Sequence, residues 1–250
     1  MDLPHDYTIT IPRNSKSAGG ASNGFFDGAK GCYSKFMYFD EAAHTILDID
    51  GAYMCARIYF NDNLLDMHPY GYTPYLVDLS GKIRFGRSNK IDISVLNVQP
   101  STRWYSGSGI YRDVYVWTGG KTRIEPWDLF VSTNSITDNC AELSIKYCIT
   151  SDLDCQSDII FEVSDKNGNK VLKQSEALDL KEGKNNHELI LNIKNAELWS
   201  PDSPVLYKLT TKISVNGELE DTSYTDFGIR TISVDSKNGL LLTGKICFFR

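Results

Sequence analysis

The sequence predicts an all-β protein built from consecutive sandwiches, and three observations carry that prediction. Aromatic residues make up 12% of the chain, with 14 Tyr, a bias that suits sheets better than helices. Polar and apolar side chains alternate with period two in several short runs, the mark of strands with one buried face. Stretches of helical length almost never show a 3.6-residue repeat, so short strands joined by tight turns are expected.

The strand-like runs follow one another in order. Residues 52–60 form the first, and Lys90-Ile91-Asp92-Ile93-Ser94-Val95 alternates strictly. In the run 111–117, alternation places Arg112 and Val114 on one face and Tyr111 and Asp113 on the other. Arg112 is therefore expected to be partly buried and paired with a carboxylate such as Asp78. Runs at 129–133, 143–149, 159–163, 188–193 and 205–215 complete the series, with Asn167-Gly168 and Asn216-Gly217 as two-residue turn signals. Residues 195–199 read as a single helical turn, and Trp199 before Ser200-Pro201 as a core anchor.

Gly119-Gly120 closes one strand series, and a second starts after Pro126-Trp127. The expected organisation is one domain over residues 1–120 and a second over 121–232, whose roughly seven strands match an immunoglobulin-like sandwich. Residues 233–250 are too few for a domain and read as a strand, a Thr243-Gly244 turn and another strand. Nothing follows to cover their apolar surface, so the chain looks cut there.

With 41% apolar and 23% charged residues the composition is that of a folded globular chain. Lys+Arg number 26 against 32 Asp+Glu, a net charge of -6 with no basic run, so neither a nucleic-acid nor a membrane partner is expected. No apolar stretch approaches the ~18 residues of a membrane span, and the first residues carry no signal-peptide pattern. Cys32, Cys55, Cys140, Cys148, Cys155 and Cys247 include no C-x-x-C pair. They read as reduced thiols of a cytoplasmic protein, with one fortuitous disulfide as the alternative, and no metal site is expected. The loop at 14–31 is glycine-rich but lacks the phosphate-cradle pattern and a following helix, and no cofactor is expected.

One string is specific. Arg103-Trp104-Tyr105-Ser106-Gly107-Ser108-Gly109-Ile110-Tyr111-Arg112-Asp113-Val114 resembles the R-W-Y-x-G-x-G-I-Y-R-x-V signature of the sugar-binding domain of glycoside hydrolase family 2, which includes β-galactosidases and β-glucuronidases. Four further segments resemble the family in the same order. They are Leu3-Pro4-His5-Asp6-Tyr7; Gly71-Tyr72-Thr73-Pro74-Tyr75 with Asp78-Leu79-Ser80; Leu198-Trp199-Ser200-Pro201 with Pro204-Val205-Leu206-Tyr207; and Phe227-Gly228-Ile229-Arg230 leading to residues 239–245. The sequence departs from the family at Gly31-Cys32-Tyr33-Ser34-Lys35, where G-W-Y-R-K is usual, at Asn61-Asp62 for Asn-Gly, and at Thr243 for Asn.

The resemblance implies a jelly-roll, galactose-binding-like sandwich, lacking its first strand, followed by the immunoglobulin-like one; residues 233–250 would be the lead-in hairpin to an absent (β/α)₈ barrel. It implies retaining hydrolysis of terminal β-glycosides, β-galactosides foremost, by two carboxyl groups about 5–5.5 Å apart. In the family both are barrel glutamates, so this chain alone is expected to be inactive. Asp6, Glu125 and Glu162 were the local carboxylates open to that role, and all three read as structural. The partners implied are the non-reducing terminal sugar and the absent barrel of the same polypeptide, with oligomeric state left open.

The same resemblance makes Arg103, Trp104 and Asp6 the sugar-contact candidates, because the family's loop before the G-I-Y-R strand reaches the sugar. A guanidinium at Arg103 presents a fixed fork of donors to hydroxyls or a carboxylate, and Trp104 offers a face for axial C–H groups. Arg103 could instead pair with Asp6 and tie loops together, and Asp6 could brace a loop or accept from a hydroxyl. His5 reads as a packed loop residue. Two rival readings are a free-standing carbohydrate-binding module and a purely structural scaffold.

Overall fold

The computed structural model describes residues 2–40, 42–100 and 107–246. The chain divides into two compact units, Met1–Thr118 and Gly119–Arg250, and both are built from strands. Among the described residues no helix is long and apolar enough to cross a membrane.

The first unit carries β1 (Lys30–Met37), β2 (His44–Ile49), β3 (Ala52–Tyr53), β4 (Ala56–Phe60), β5 (Asn63–His68), β6 (Tyr75–Asp78), β7 (Asn89–Leu96), β8 (Gly109–Ile110) and β9 (Val114–Gly119). One sheet has the order β1-β7-β4-β5 and the other β6-β2-β9, with β3 and β8 as a separate short ribbon. Alternation decides which side chains meet between the layers. Ile58 and Phe60 of β4 with Ile91, Ile93 and Val95 of β7 join Leu47, Ile49, Tyr75 and Val77 from the opposite sheet in one buried cluster. Each fully buried side chain of this kind stabilises the fold by about 1.5–3 kcal/mol.

One polar residue sits inside this unit with its bonds satisfied. Asn89 is fully buried; its amide donates to the Arg84 and Arg87 carbonyls and accepts from the Arg84 N–H and the Asn61 side chain. It thereby ties the β4–β5 turn to the segment entering β7. In that turn Asn61 and Asp62 both adopt left-handed φ, 50° and 67°, so Asp62 fills the glycine place of a type I′ turn.

Two expectations for this unit are corrected. The run 52–60 is two strands, because the chain turns at Cys55, with φ 49°, and passes from the ribbon into the four-stranded sheet. The run 111–117 begins only at Val114. Tyr111 leaves the strand path to hydrogen-bond the Gly71 carbonyl at 2.7 Å, and Arg112 is exposed, lying 5.3 Å over the Tyr111 ring rather than buried on Asp78. Asp78 instead accepts the Ser80 N–H.

The second unit carries β10 (Thr122–Ile136), β11 (Cys140–Ser151), β12 (Cys155–Ser164), β13 (Lys170–Leu180), β14 (Gly183–Lys194), β15 (Tyr207–Val215) and β16 (Glu218–Phe227). Sheets β10-β11-β14 and β13-β12-β15-β16 face each other, the three-on-four split of an immunoglobulin-like sandwich. Leu143, Ile145, Tyr147 and Ile149 of β11 pack against Ile159, Phe161, Val163, Leu209 and Ile213. A further meander of β17 (Ile232–Asp235), β18 (Gly239–Leu242) and β19 (Lys245–Ile246) follows.

Three local expectations change here. Asn167-Gly168 lies in a five-residue loop, where the Asp165 carboxylate gathers the N–H groups of Asn167 and Asn169; Asn216-Gly217, with φ 53° and 81°, is the two-residue turn. Residues 195–199 are not helical, since Asn195 turns left-handed at φ 50° and ends β14. Trp199 is half-buried outside the core cluster. Its ring occupies the space that a Cβ on Gly228 would fill, with the Arg230 guanidinium 4.5 Å above it.

Candidate functional site

In the first unit the L-P-H-D and S-G-I-Y segments are zipped together. His5 N–H donates to the Ile110 carbonyl at 2.7 Å and Tyr7 N–H to the Ser108 carbonyl at 2.9 Å. Between them Oδ1 of Asp6 accepts two backbone N–H groups, Thr8 and Ser108, each at 2.8 Å. Asp6 thus caps the 3₁₀ turn Tyr7–Thr10 and anchors a segment 102 residues away with the same oxygen. Both of these bonds fall on Oδ1.

Around this zipper the backbone is held at close range. Asn97, buried, donates through Nδ2 to Ser108 Oγ at 2.7 Å, while its own N–H reaches the Ala29 carbonyl. Gly109 has φ 140°, and a Cβ there would lie 2.4 Å from both the His5 carbonyl and the Tyr33 hydroxyl. Only glycine fits. His5 is a packed loop residue: its Nδ1 pairs with the Tyr33 hydroxyl at 2.9 Å, and the two rings meet edge to face. Burial pushes the Tyr7 and Tyr33 phenols above their ordinary values, with the Asp6 charge adding to it, so both stay protonated.

A shelf of tyrosines adjoins the zipper. Tyr53 pairs with Gly109 across the β3–β8 ribbon, and its ring packs at 5.3 Å against Tyr72, which in turn meets Tyr70 at 5.5 Å. Gly71 lies on the Tyr53 ring so closely that a Cβ would come within 2.3 Å of it. Tyr70 keeps half its surface in solvent. Below, His68 stacks on Tyr75 at 4.2 Å and bonds Thr73 Oγ1 at 2.9 Å. In the sequence Gly71-Tyr72-Thr73-Pro74-Tyr75 was legible only as a family marker; the density of tyrosines around Gly71 is the signal that could have pointed to a surface.

Arg103 and Trp104 lie outside the described residues. The described chain leads up to them through Asn97 and picks up after them at Gly107 and Ser108. Asp6, Asn97 and Gly109 therefore form the fixed root of the segment that carries both candidates. The arrangement offers phenol hydroxyls, aromatic faces and one carboxylate oxygen, the groups that suit a polyol.

The other carboxylates weighed for catalysis are engaged in ion pairs. Glu125 is in an ion pair with the buried Arg123 at 2.7 Å. Glu162 faces Lys170 at 3.1 Å and Lys173 at 3.7 Å, and the Lys170 bond holds its carboxyl below the usual range. Among the described residues no group of three His, Cys, Asp or Glu could hold a metal ion, and Cys32, Cys55, Cys140, Cys148 and Cys155 are free.

Comparison with known proteins places these features. Residues 122–230 match the model of glycosyl hydrolases family 2. Beta-galactosidase BoGH2A of Bacteroides ovatus is 32% identical over 98% of this chain, which covers 30% of that protein. A putative beta-glucuronidase of Formosa agariphila is 31% identical over 98% of the chain and 24% of its own length. Among solved structures, a glycosyl hydrolase family 2 member from Bacteroides cellulosilyticus superposes on 98% of the chain and 33% of its own, with a TM-score of 0.92 and 30% identity. The chain thus spans under a third of the length of the two curated relatives.

Proposed function

We propose, on the premise that the chain belongs to glycosyl hydrolases family 2, that it is the sugar-positioning, non-catalytic β-sandwich region of a retaining β-glycosidase whose substrates are terminal β-galactosides. In this reading two glutamates of a barrel in the same polypeptide perform the displacement. The residues of this chain bind and orient. Arg103 donates to ring hydroxyls, Trp104 covers an axial C–H face, and Asp6 holds the root of their loop while Oδ2 accepts from a hydroxyl.

The observation that carries this reading is the Asp6 bridge. A carboxylate that spans Thr8 and Ser108 costs conformational freedom on both segments, which is useful where a loop must present side chains within a few tenths of an ångström. The test is hydrolysis of nitrophenyl β-galactoside and β-glucuronide by the polypeptide that contains this region. Arg103→Ala and Asp6→Ala should each lower kcat/KM for the galactoside by about ten- to a hundredfold, the loss of about 1–3 kcal/mol of transition-state binding. Unchanged kinetics in both variants, or hydrolysis by this chain alone, would sink the proposal.

The exposed Tyr70 at the rim of the tyrosine cluster favours a second reading, a module that binds sugar unaided. Titration calorimetry of this chain with galactose, lactose and glucuronate separates the two: tight binding that Tyr70→Ala abolishes supports the module, and absence of such binding supports the accessory role.

A further inference from the structure

The two sheets of the second unit differ on their outer faces. The four-stranded one is charged, with Glu162 among Lys170 and Lys173. The three-stranded one carries a groove of about 520 Å³ whose walls are Trp127 and Phe130 and whose floor includes Asp128, Lys146, Asn186 and Glu188. Register explains the groove. Phe130, Lys146 and Glu188 stand in one row across β10, β11 and β14, and Cys148 and Asn186 stand in the next. Opposite Cys148, β10 should supply one residue and instead supplies residues 125–128, because the register jumps between Ile124 and Leu129. This bulge lifts Trp127 above the row.

Trp127 holds a left-handed backbone, φ 69°, and is 56% exposed; Phe130 is 65% exposed. A bulky residue in that conformation is strained, and an indole left 56% exposed gains only part of what burial offers. Backbone preference does not account for tryptophan at this position. The polar floor is held in place: Asp128 pairs with Lys184 at 3.2 Å, and Ser144 Oγ donates to Glu188 at 2.6 Å. The charges of Asp128 and Glu188 cancel those of Lys146 and Lys184. The groove therefore presents donors, acceptors and aromatic faces without a net field, in a chain of net charge -6. That complements an uncharged ligand with many hydroxyls and C–H faces.

We infer that this groove of the immunoglobulin-like unit is a binding site for a neutral saccharide chain, with Trp127 and Phe130 stacking on sugar rings and Asn186, Lys146 and Glu188 meeting their hydroxyls. The choice of a galactose-based probe rests on the function proposed above. The groove itself does not.

The 250-residue chain is titrated with β-1,4-galactotetraose and, as the charged counterpart, with trigalacturonate, while backbone amide shifts are followed by NMR. The neutral tetrasaccharide should bind and shift Phe130, Lys146 and Asn186. Trp127→Asn should weaken binding by about tenfold or more while keeping or raising the melting temperature, since Asn tolerates the left-handed region. Lys146→Ala should weaken it less. Absence of binding, preference for the galacturonate, or undiminished binding in Trp127→Asn overturns the inference. So do shifts centred on Gly71 and Ser108, which would put the sugar at the loop root and leave the proposed function standing. A dimer in sedimentation that Trp127→Asn dissolves also overturns it, assigning the groove to a second copy.

Discussion

The two units solve the same problem, closing a β-sandwich, with different resources. The second relies on repetition: β11 and β14 pair without interruption from Cys140 with Lys194 to Ser151 with Gly183, and every second side chain of β11 enters the core. The first relies on singular contacts. Gly31, Gly71 and Gly109 each sit where a Cβ would come within 2.5 Å of a neighbour, and Asp6, Asn89 and Asn97 hold distant segments through their side chains. The comparison teaches that a regular ladder distributes its stability over many equivalent positions, whereas the first unit concentrates it in a few irreplaceable ones.

Four substitutions test that contrast, in falling order of effect. Ile145→Ala leaves a cavity in the centre of the second core and should cost about 2–5 kcal/mol in denaturant unfolding, with no change in the first unit's amide protection. Gly109→Ala removes no apolar contact at all, yet should cost about 2–3 kcal/mol in the first unit, because the methyl group meets the His5 carbonyl and the Tyr33 hydroxyl. A cost under ~0.5 kcal/mol there would dissolve the distinction between the units.

Tyr75→Phe should run the other way. Among the described residues the Tyr75 hydroxyl is buried without a hydrogen-bond partner, and burial raises its pKa strongly, so phenylalanine at this site should stabilise the first unit by about 1 kcal/mol. A loss of stability would mean that the hydroxyl is bonded in solution. The smallest effect concerns pH. Asp221 is buried beside β10 and accepts the Ile124 N–H at 2.9 Å; burial raises its carboxyl above the usual value despite that bond and Arg123. A raised folded pKa means that the contribution of Asp221 is present below its unfolded value and is lost as pH climbs through the folded one. Asp221→Asn should therefore gain on the wild type as pH rises above the ordinary carboxyl value of 3.8. A flat difference across that range would remove burial as the cause.

Legibility in the sequence followed the same division. The second sandwich was readable because period two is a local property: residues 143–149 and 159–163 need no partner to show which face is buried. Asn216-Gly217 was readable for the same reason, as turn chemistry resides in two residues. What failed was non-local. Nothing near Tyr111 announces that its hydroxyl will reach Gly71, and that bond, not alternation, sets where β9 begins and leaves Arg112 in solvent. The Trp127 bulge was equally hidden, since it is defined only against β11. For the candidate site, Asp6 was named from a motif, but its bonds to Thr8 and Ser108 required the fold.

The zipper at Asp6 has a consequence for engineering. Its holding contacts come from residues on either side of the segment 101–106 and include main-chain groups of His5, Tyr7, Ser108 and Ile110. A substitution at Asp6 therefore loosens two distant stretches of chain at once, which marks Asp6 as a position to leave untouched in any library built on this unit.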